Sequence, residues 1–252
     1  MGLQGRLVGE RYRLLQRAGS GATGTVWRAF DELGAREVAV RRPRLPGDPA
    51  DEAYRRAAHR LYREARAAAR VDHPAAVRIH DVVVEEAGTD GLPWIVMEWV
   101  PGEALREVLR RGPVAAPEAA RTGLAVLGAL RAAHAVGIVH RAVTPGNVLL
   151  GPHGRVVLTG FGTAHVPGAR SPRGAGPAAD LRSLGALLHT AVGGGTPGGP
   201  LGPLIERLRG QDTGLLPDAE EIAEHLEAVA GNPCARAGPK RRDQHQPFRI
   251  TS

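Results

Sequence analysis

The chain is 252 residues long, 42% hydrophobic and 23% charged, which suffices to bury a sizeable core as one large domain or as two lobes. Its formal charge of +7 comes from arginines spread along the chain, with Lys240 the single lysine, and 4% of residues are aromatic, so a nucleic-acid partner is not expected. One cysteine, Cys234, excludes an internal disulfide and a cysteine metal cluster; no apolar run is long enough to span a bilayer, no secretion signal opens the chain, and a cytoplasmic protein is expected.

In chain order, "YRLLQR" (12–17) and "TVWRAF" (25–30) read as strands separated by "AGSGATG", and "EVAVR" (37–41) follows as a third after the turn "DELGAR". Residues 51–70, rich in Ala, Arg and Glu, read as a helix, and 77–84 and 94–100 as two more strands. Pro101-Gly102 marks a hinge, beyond which the pattern is helical over 103–111 and 117–136. Short strands flank "VHRAVTPGNVLL" and resume at "RVVLTG"; helices return at 180–192 and 218–230, with Gly/Pro-rich loops at 166–177 and 193–203. The layout is α+β and bilobal: a strand-rich N-lobe over 8–100, a helical C-lobe over 101–231, then a basic tail, 232–252, expected to be disordered.

Three features bear on chemistry. "GSGATG" satisfies G-x-G-x-x-G with Gly19, Gly21 and Gly24, but a strand follows it rather than a helix, so the loop caps a hairpin instead of opening a dinucleotide fold. A hairpin of this kind suits a flap whose backbone N–H groups approach phosphates. "VAVR" ends in Arg41 on the third strand, and in the helix 51–70 Leu61, Ala65 and Ala68 form an apolar stripe with Glu64 on the same face. A carboxylate there needs a partner, and Arg41 is the expected one; the plainer alternative puts Glu64 on the rim of a solvated face.

With these come "REARAAARVDHPAAVRIHDV", "WIVMEWVPGEAL", "GIVHRAVTPGNVLL", "LTGFGTAH" and "AADLRSLGALLHTAV", in that order. Over residues 8–230 the chain resembles the bacterial Ser/Thr protein kinases of the eukaryotic type. The resemblance implies that His140-Arg141 begins a catalytic loop, and the same loop departs from the family at its working positions. The catalytic Asp is replaced by Ala142, the Lys two residues later by Thr144, the metal-binding Asp before Phe-Gly by Gly160, and the nucleotide-binding Lys by Arg41. Asn147, a magnesium ligand in the family, remains as a lone and weak one. Between Glu118 and Asp180 there is no Asp or Glu to take over either carboxylate role, and His153 and His165 are the nearest ionisable groups.

The resemblance also implies an adenine slot between Val26 and Ala39 above and Leu149 below, hydrogen-bonded by the backbone of Glu98 and Val100, with Gly19, Gly21, Gly24, Arg41 and Glu64 serving the phosphate side. Phe161 and His140 match positions that stack in the family's regulatory column. Asp180 matches the acid that anchors the catalytic loop from below, an ordinary helix N-cap being the alternative. The segment from Gly160 to Asp180 is shorter than the family's activation segment and has no A-P-E; Leu216 stands where the arginine partner of that Glu belongs, and "GGGTPGGPLG" replaces the substrate-docking region. The expected protein is a signalling pseudokinase that binds ATP with little or no magnesium dependence, or a protein partner such as an active kinase. A weakly active ATP-dependent Ser/Thr kinase and a decaying gene product are the alternatives.

Overall fold

The computed structural model describes residues 3–21, 24–85, 91–161, 176–195, 199–210 and 216–231. The N-terminal half forms a six-stranded antiparallel sheet in the order β1-β2-β3-β4-β6-β5, built from Leu7–Val8, Tyr12–Gly21, Gly24–Asp31, Arg36–Pro43, Trp94–Glu98 (β6) and Ile79–Val83 (β5). Successive side chains alternate between its faces. Trp27, Ala29, Val38, Val40, Trp94 and Val96 therefore share the outer face and form one small core with Tyr12 and Leu14. Register sets the other face: Val26 opposite Arg41, Arg28 opposite Ala39, Ala39 opposite Met97, Arg41 opposite Ile95. That face looks into the cleft.

Helix α1, Glu52–Ala68, buries one stripe: Tyr54, Ala57, Ala58 and Leu61 in a small cluster with Leu45 and Leu92, and Ala65 and Ala68 in the main core, where the helix meets β5. Beyond the hinge come β7 (Glu103–Ala104), α2 (Leu105–Arg110) and α3 (Ala116–Ala135), the last opened by Pro117 in its first turn, where a missing N–H costs nothing. Strands β8 (Val148–Leu150) and β9 (Val156–Leu158) complete a three-stranded sheet, β7-β8-β9, that carries the loop at 139–147 against α3. Helices α4 (Pro177–Ala191), α5 (Gly202–Arg209) and α6 (Ala219–Ala230) fill out the second half; Asp218 and Glu221 form a reciprocal capping box at the start of α6. The main core runs without a break from Ala39, Ala65 and Met97 above the hinge to Leu127, Leu188 and Leu226 below it.

The α+β bilobal layout is as expected. Two differences have local causes. Helix α5 begins inside the stretch read as the loop 193–203, because Pro203 sits at a helix start and Leu204, Ile205 and Leu208 are all buried. Gly185 of α4 leaves room for Leu208: a Cβ there would lie 2.5 Å from that of Leu208. The strands of the glycine hairpin are longer than expected, reaching Gly21 and Gly24, with bulges near Gln16 and Arg17. Residues 162–175 of the activation segment and the basic tail lie outside the described residues.

Candidate functional site

The site is assembled from the cleft face of the sheet, the hinge, and the loop between α3 and β8. Its glycines divide by cause. Gly24 has φ +137°, and a Cβ there would stand 2.2 Å from the Arg42 carbonyl, so β4 alone demands glycine at this position. Gly19 and Gly21 have nothing within 4 Å of such a Cβ and border open space, as a phosphate flap would. Ala39, Val100 and Met97 are buried in the main core, and Val26 and Leu149, the other expected adenine-slot residues, are partly buried against it. At the hinge, Glu98 donates its N–H to Arg78 O (2.9 Å), while its carboxylate accepts from Arg155 Nη2 (2.8 Å) and ties hinge to second lobe. The Val100 N–H, in a buried residue, makes no hydrogen bond among the described residues.

Arg41 is 8% exposed, and burial pushes its guanidinium down to about 10, so it stays charged at neutral pH. Glu64 is not its partner, against expectation. The Glu64 carboxylate lies 3.9 Å from Arg141 Nη1, with the two side chains 37% and 40% exposed. At about 100° per residue Glu64 falls at the border of the Leu61/Ala65/Ala68 stripe, so the rim position prevails over the buried one. An ion pair this exposed contributes about 0.2–1 kcal/mol.

The loop is held from below by Asp180, whose carboxylate is fully buried within the first turn of α4. It accepts from the His140 N–H (2.8 Å) and the Arg141 N–H (2.7 Å), and His134 Nε2 lies 2.8 Å from Oδ2. Gly176, not Asp180, is the N-cap of α4, so the anchor reading stands. Burial alone would raise the Asp180 carboxyl, but the bonds from His134, His140 and Arg141 outweigh it and hold the group below the usual carboxylate range. His134, in the last turn of α3, carries no spacing signal that would have exposed this role in the sequence.

His140 spends both ring nitrogens. Nε2–H donates to Thr159 O (2.8 Å) and Nδ1 accepts from the Ala142 N–H (3.2 Å), a pattern that only the neutral ring can make. Burial pushes its pKa down, in agreement. Its ring meets Phe161 edge-on at 4.7 Å, the contact expected of the stacked column. Asn147 Nδ2 donates to Ala142 O (2.8 Å), closing the turn. The peptide at position 142 is thus fixed on both sides while its side chain is a methyl group. Thr144 is exposed, and Gly160 sits at φ +88° with the Asn147 amide 3.4 Å from where a Cβ would be. His153 is exposed in a 3-10 turn, and His165 lies outside the described residues. Arg28 was not anticipated: it places its guanidinium 5.6 Å from the Trp99 ring centre, at the mouth of the cleft.

A strand-rich lobe with a glycine hairpin, a hinge, and a His-Arg loop anchored by a buried Asp define a protein-kinase fold. The protein kinase domain family matches residues 12–174, well over half of the chain, and the chain belongs to that family. It is 32% identical over 255 aligned positions to serine/threonine-protein kinase PknA of Mycobacterium tuberculosis, covering 90% of this chain and 58% of that one. It is also 38% identical over 166 positions to a probable serine/threonine-protein kinase of Streptomyces coelicolor, covering 65% and 24% respectively. A third, serine/threonine-protein kinase PknL of Mycobacterium tuberculosis, is 33% identical over 219 positions, with 77% and 52% covered. The chain therefore spans a quarter to three-fifths of the length of these relatives.

Proposed function

We propose that this kinase-fold protein is a signalling pseudokinase: it transfers phosphate poorly or not at all and acts by binding nucleotide, a partner protein, or both. One observation carries the reading. The catalytic loop is fixed by Asp180, His140 and Asn147, yet position 142 within it carries a methyl group, and position 160, just beyond β9 and beside Asn147, carries a hydrogen atom. Loss of a general base alone costs about 10²–10⁴ in rate, and family turnover is about 1–100 s⁻¹, so the chemistry left is slow.

The residues fit a nucleotide better than they fit its metal. Val26, Ala39 and Leu149 supply apolar walls, the Val100 N–H is a donor with no acceptor among the described residues, and Arg41 keeps a cation with a broader, planar head than lysine. Magnesium prefers carboxylate and water oxygens in octahedral array. Asn147 offers one neutral amide oxygen, its Nδ2 being spent on Ala142, and no trio of His, Cys, Asp or Glu gathers among the described residues. ATP should therefore bind with little or no magnesium dependence. Thermal melting with ATP, with and without Mg²⁺, is the test. At one hundred times the dissociation constant the shift corresponds to about 2.7 kcal/mol, the same in both arms, and Ala39→Phe should abolish it. A shift that requires Mg²⁺, together with radiolabel transfer at ordinary kinase rates, would overturn the proposal. The buried, charged Arg41 keeps one rival alive, a weak Ser/Thr kinase, whose turnover would vanish in Asn147→Ala.

A further inference from the structure

The arginines are not evenly spread over the folded surface. In α1, Arg55, Arg56, Arg60, Arg63 and Arg66 are all exposed, as is His59. At about 100° per residue these six fall within an arc of roughly 140°, opposite the buried stripe, and from Arg55 to Arg66 they span about 16 Å. One carboxylate answers them within the helix, Glu52 on Arg56 at 3.2 Å; Arg55, Arg60, Arg63 and Arg66 make no ion pair among the described residues. Elsewhere many cations are matched, Arg13 with Glu32, Arg111 with Glu103, Arg131 with Glu220 and Arg207 with Glu221 among them; Arg17, Arg44, Arg70, Arg121 and Arg209 also make no ion pair among the described residues, but they are not gathered on one helix face. Four unneutralised guanidiniums on one helix face repel each other and destabilise the helix in isolation.

One edge of this arc runs into a cavity of about 390 Å³ between α1 and the start of the catalytic loop. Arg60, Arg63 and Arg141 stand around it with one carboxylate, Glu64, which lies 3.9 Å from Arg141, and Ala67, Ile138 and Val139 give it an apolar wall. That volume takes one or two side chains.

We propose that this face of α1 is a docking surface for an acidic segment of a partner protein, its carboxylates on Arg55, Arg56, Arg60, Arg63 and Arg66 and one apolar side chain in the cavity. Charge complementarity decides the occupant. The chain's own tail carries Arg236, Lys240, Arg241, Arg242 and Arg249 against Asp243, so it is repelled. A second copy would bring α6, the acidic helix, but two of its four glutamates, Glu220 and Glu221, are already paired with Arg131 and Arg207, which leaves only Glu224 and Glu227 against four arginines. A nucleic acid would want stacking rings, and the α1 face offers none within the arc, Tyr62 being half-buried beside it. Because α1 also carries Glu64, whose carboxylate reaches Arg141 of the loop, an occupant here sits on the element that joins sheet to catalytic loop.

The proposal rests on the reading of the chain as a binding module, and its test uses neither nucleotide nor phosphate transfer, so the two can fail separately. The full chain is titrated against a fluorescein-labelled peptide EELDDLEELDDL, its lysine counterpart KKLKKLKKLKKL, and a single-stranded twenty-nucleotide DNA, at low and physiological salt. Binding of the acidic peptide is expected, weakened about tenfold or more by Arg60→Glu with Arg63→Glu, and less than about twofold by Arg121→Glu with Arg209→Glu, an equal charge change off the face. Arg55→Gln with Arg66→Gln repeats the test without reversing charge should the first pair fail to fold. Equal weakening by the on-face and off-face pairs, no binding at millimolar peptide, or tighter face-dependent binding of the DNA would each overturn the proposal.

Discussion

Substituting Asp180 with Asn changes one atom and strikes the whole catalytic loop. The carboxylate is fully buried and takes hydrogen bonds from two successive backbone N–H groups, one on each oxygen, at 2.8 and 2.7 Å, with His134 2.8 Å from Oδ2. An amide keeps the shape but offers one acceptor oxygen, so its NH₂ must face either the His140 or the Arg141 N–H. A bond to a charged acceptor is worth about 1.5–3 kcal/mol, and leaving a buried donor unmet adds about 1–3 kcal/mol. The loss should therefore be about 3–5 kcal/mol, the range for breaking a buried charged pair. Against the total of about 5–15 kcal/mol for a domain this is severe, and it should lower the melting temperature by about 6–20 °C. Scanning calorimetry reads the shift, and hydrogen exchange at the His140 and Arg141 amides should accelerate more than exchange in the outer sheet. Because the Asp180 carboxyl is held below its unfolded value, its contribution is complete above the unfolded carboxylate pKa and is lost as pH falls through the folded one. The wild type should shed stability in that acid window and the Asn variant should shed less of it. A variant within about 1 kcal/mol of wild type at neutral pH would refute the anchor argument.

Other expectations are as direct. A double-mutant cycle with Glu64→Gln and Arg141→Gln should return a coupling of about 0.2–1 kcal/mol, falling with salt, since both side chains are more than a third exposed; a coupling above about 2 kcal/mol would mean a buried pair. His140 is neutral in the fold with its pKa depressed by burial, so its contribution is full above the unfolded histidine value and declines as pH falls through the folded one. In His140→Gln the loss of stability between pH 7 and 5 should be smaller than in wild type, as read by melting. Restoring Ala142→Asp and Gly160→Asp together should recover little phosphate transfer. Position 160 has φ +88°, where a side chain costs about 1–2 kcal/mol, and its Cβ would press on the Asn147 amide at 3.4 Å. Transfer at family rates from that double variant would count against the strain argument.

The sequence by itself determined the fold class, the hinge near Pro101-Gly102 and the identity of the missing groups, because each is a local pattern. Alternation along 25–30 and 37–41 separates two sheet faces, the 51–70 periodicity makes one helix face apolar, and Ala142 and Gly160 are visible as single letters in a motif of known order. It could not settle which charges meet. Arg41 is the partner expected for a Glu64 on the apolar face of the helix, yet the burial of Tyr54, Leu61 and Ala65 leaves Glu64 at the rim, where it meets Arg141. Nor could spacing reveal that His134, forty-six residues before Asp180, closes the anchor, or that strand packing by itself requires glycine at position 24. The arginines read as a uniform habit of composition until the fold buried one face of α1 and turned the other, unneutralised, to the surface. Periodicity acts over a few residues and is written in the chain; electrostatic partnership acts through space, and only the packed tertiary structure decides which side chains share it.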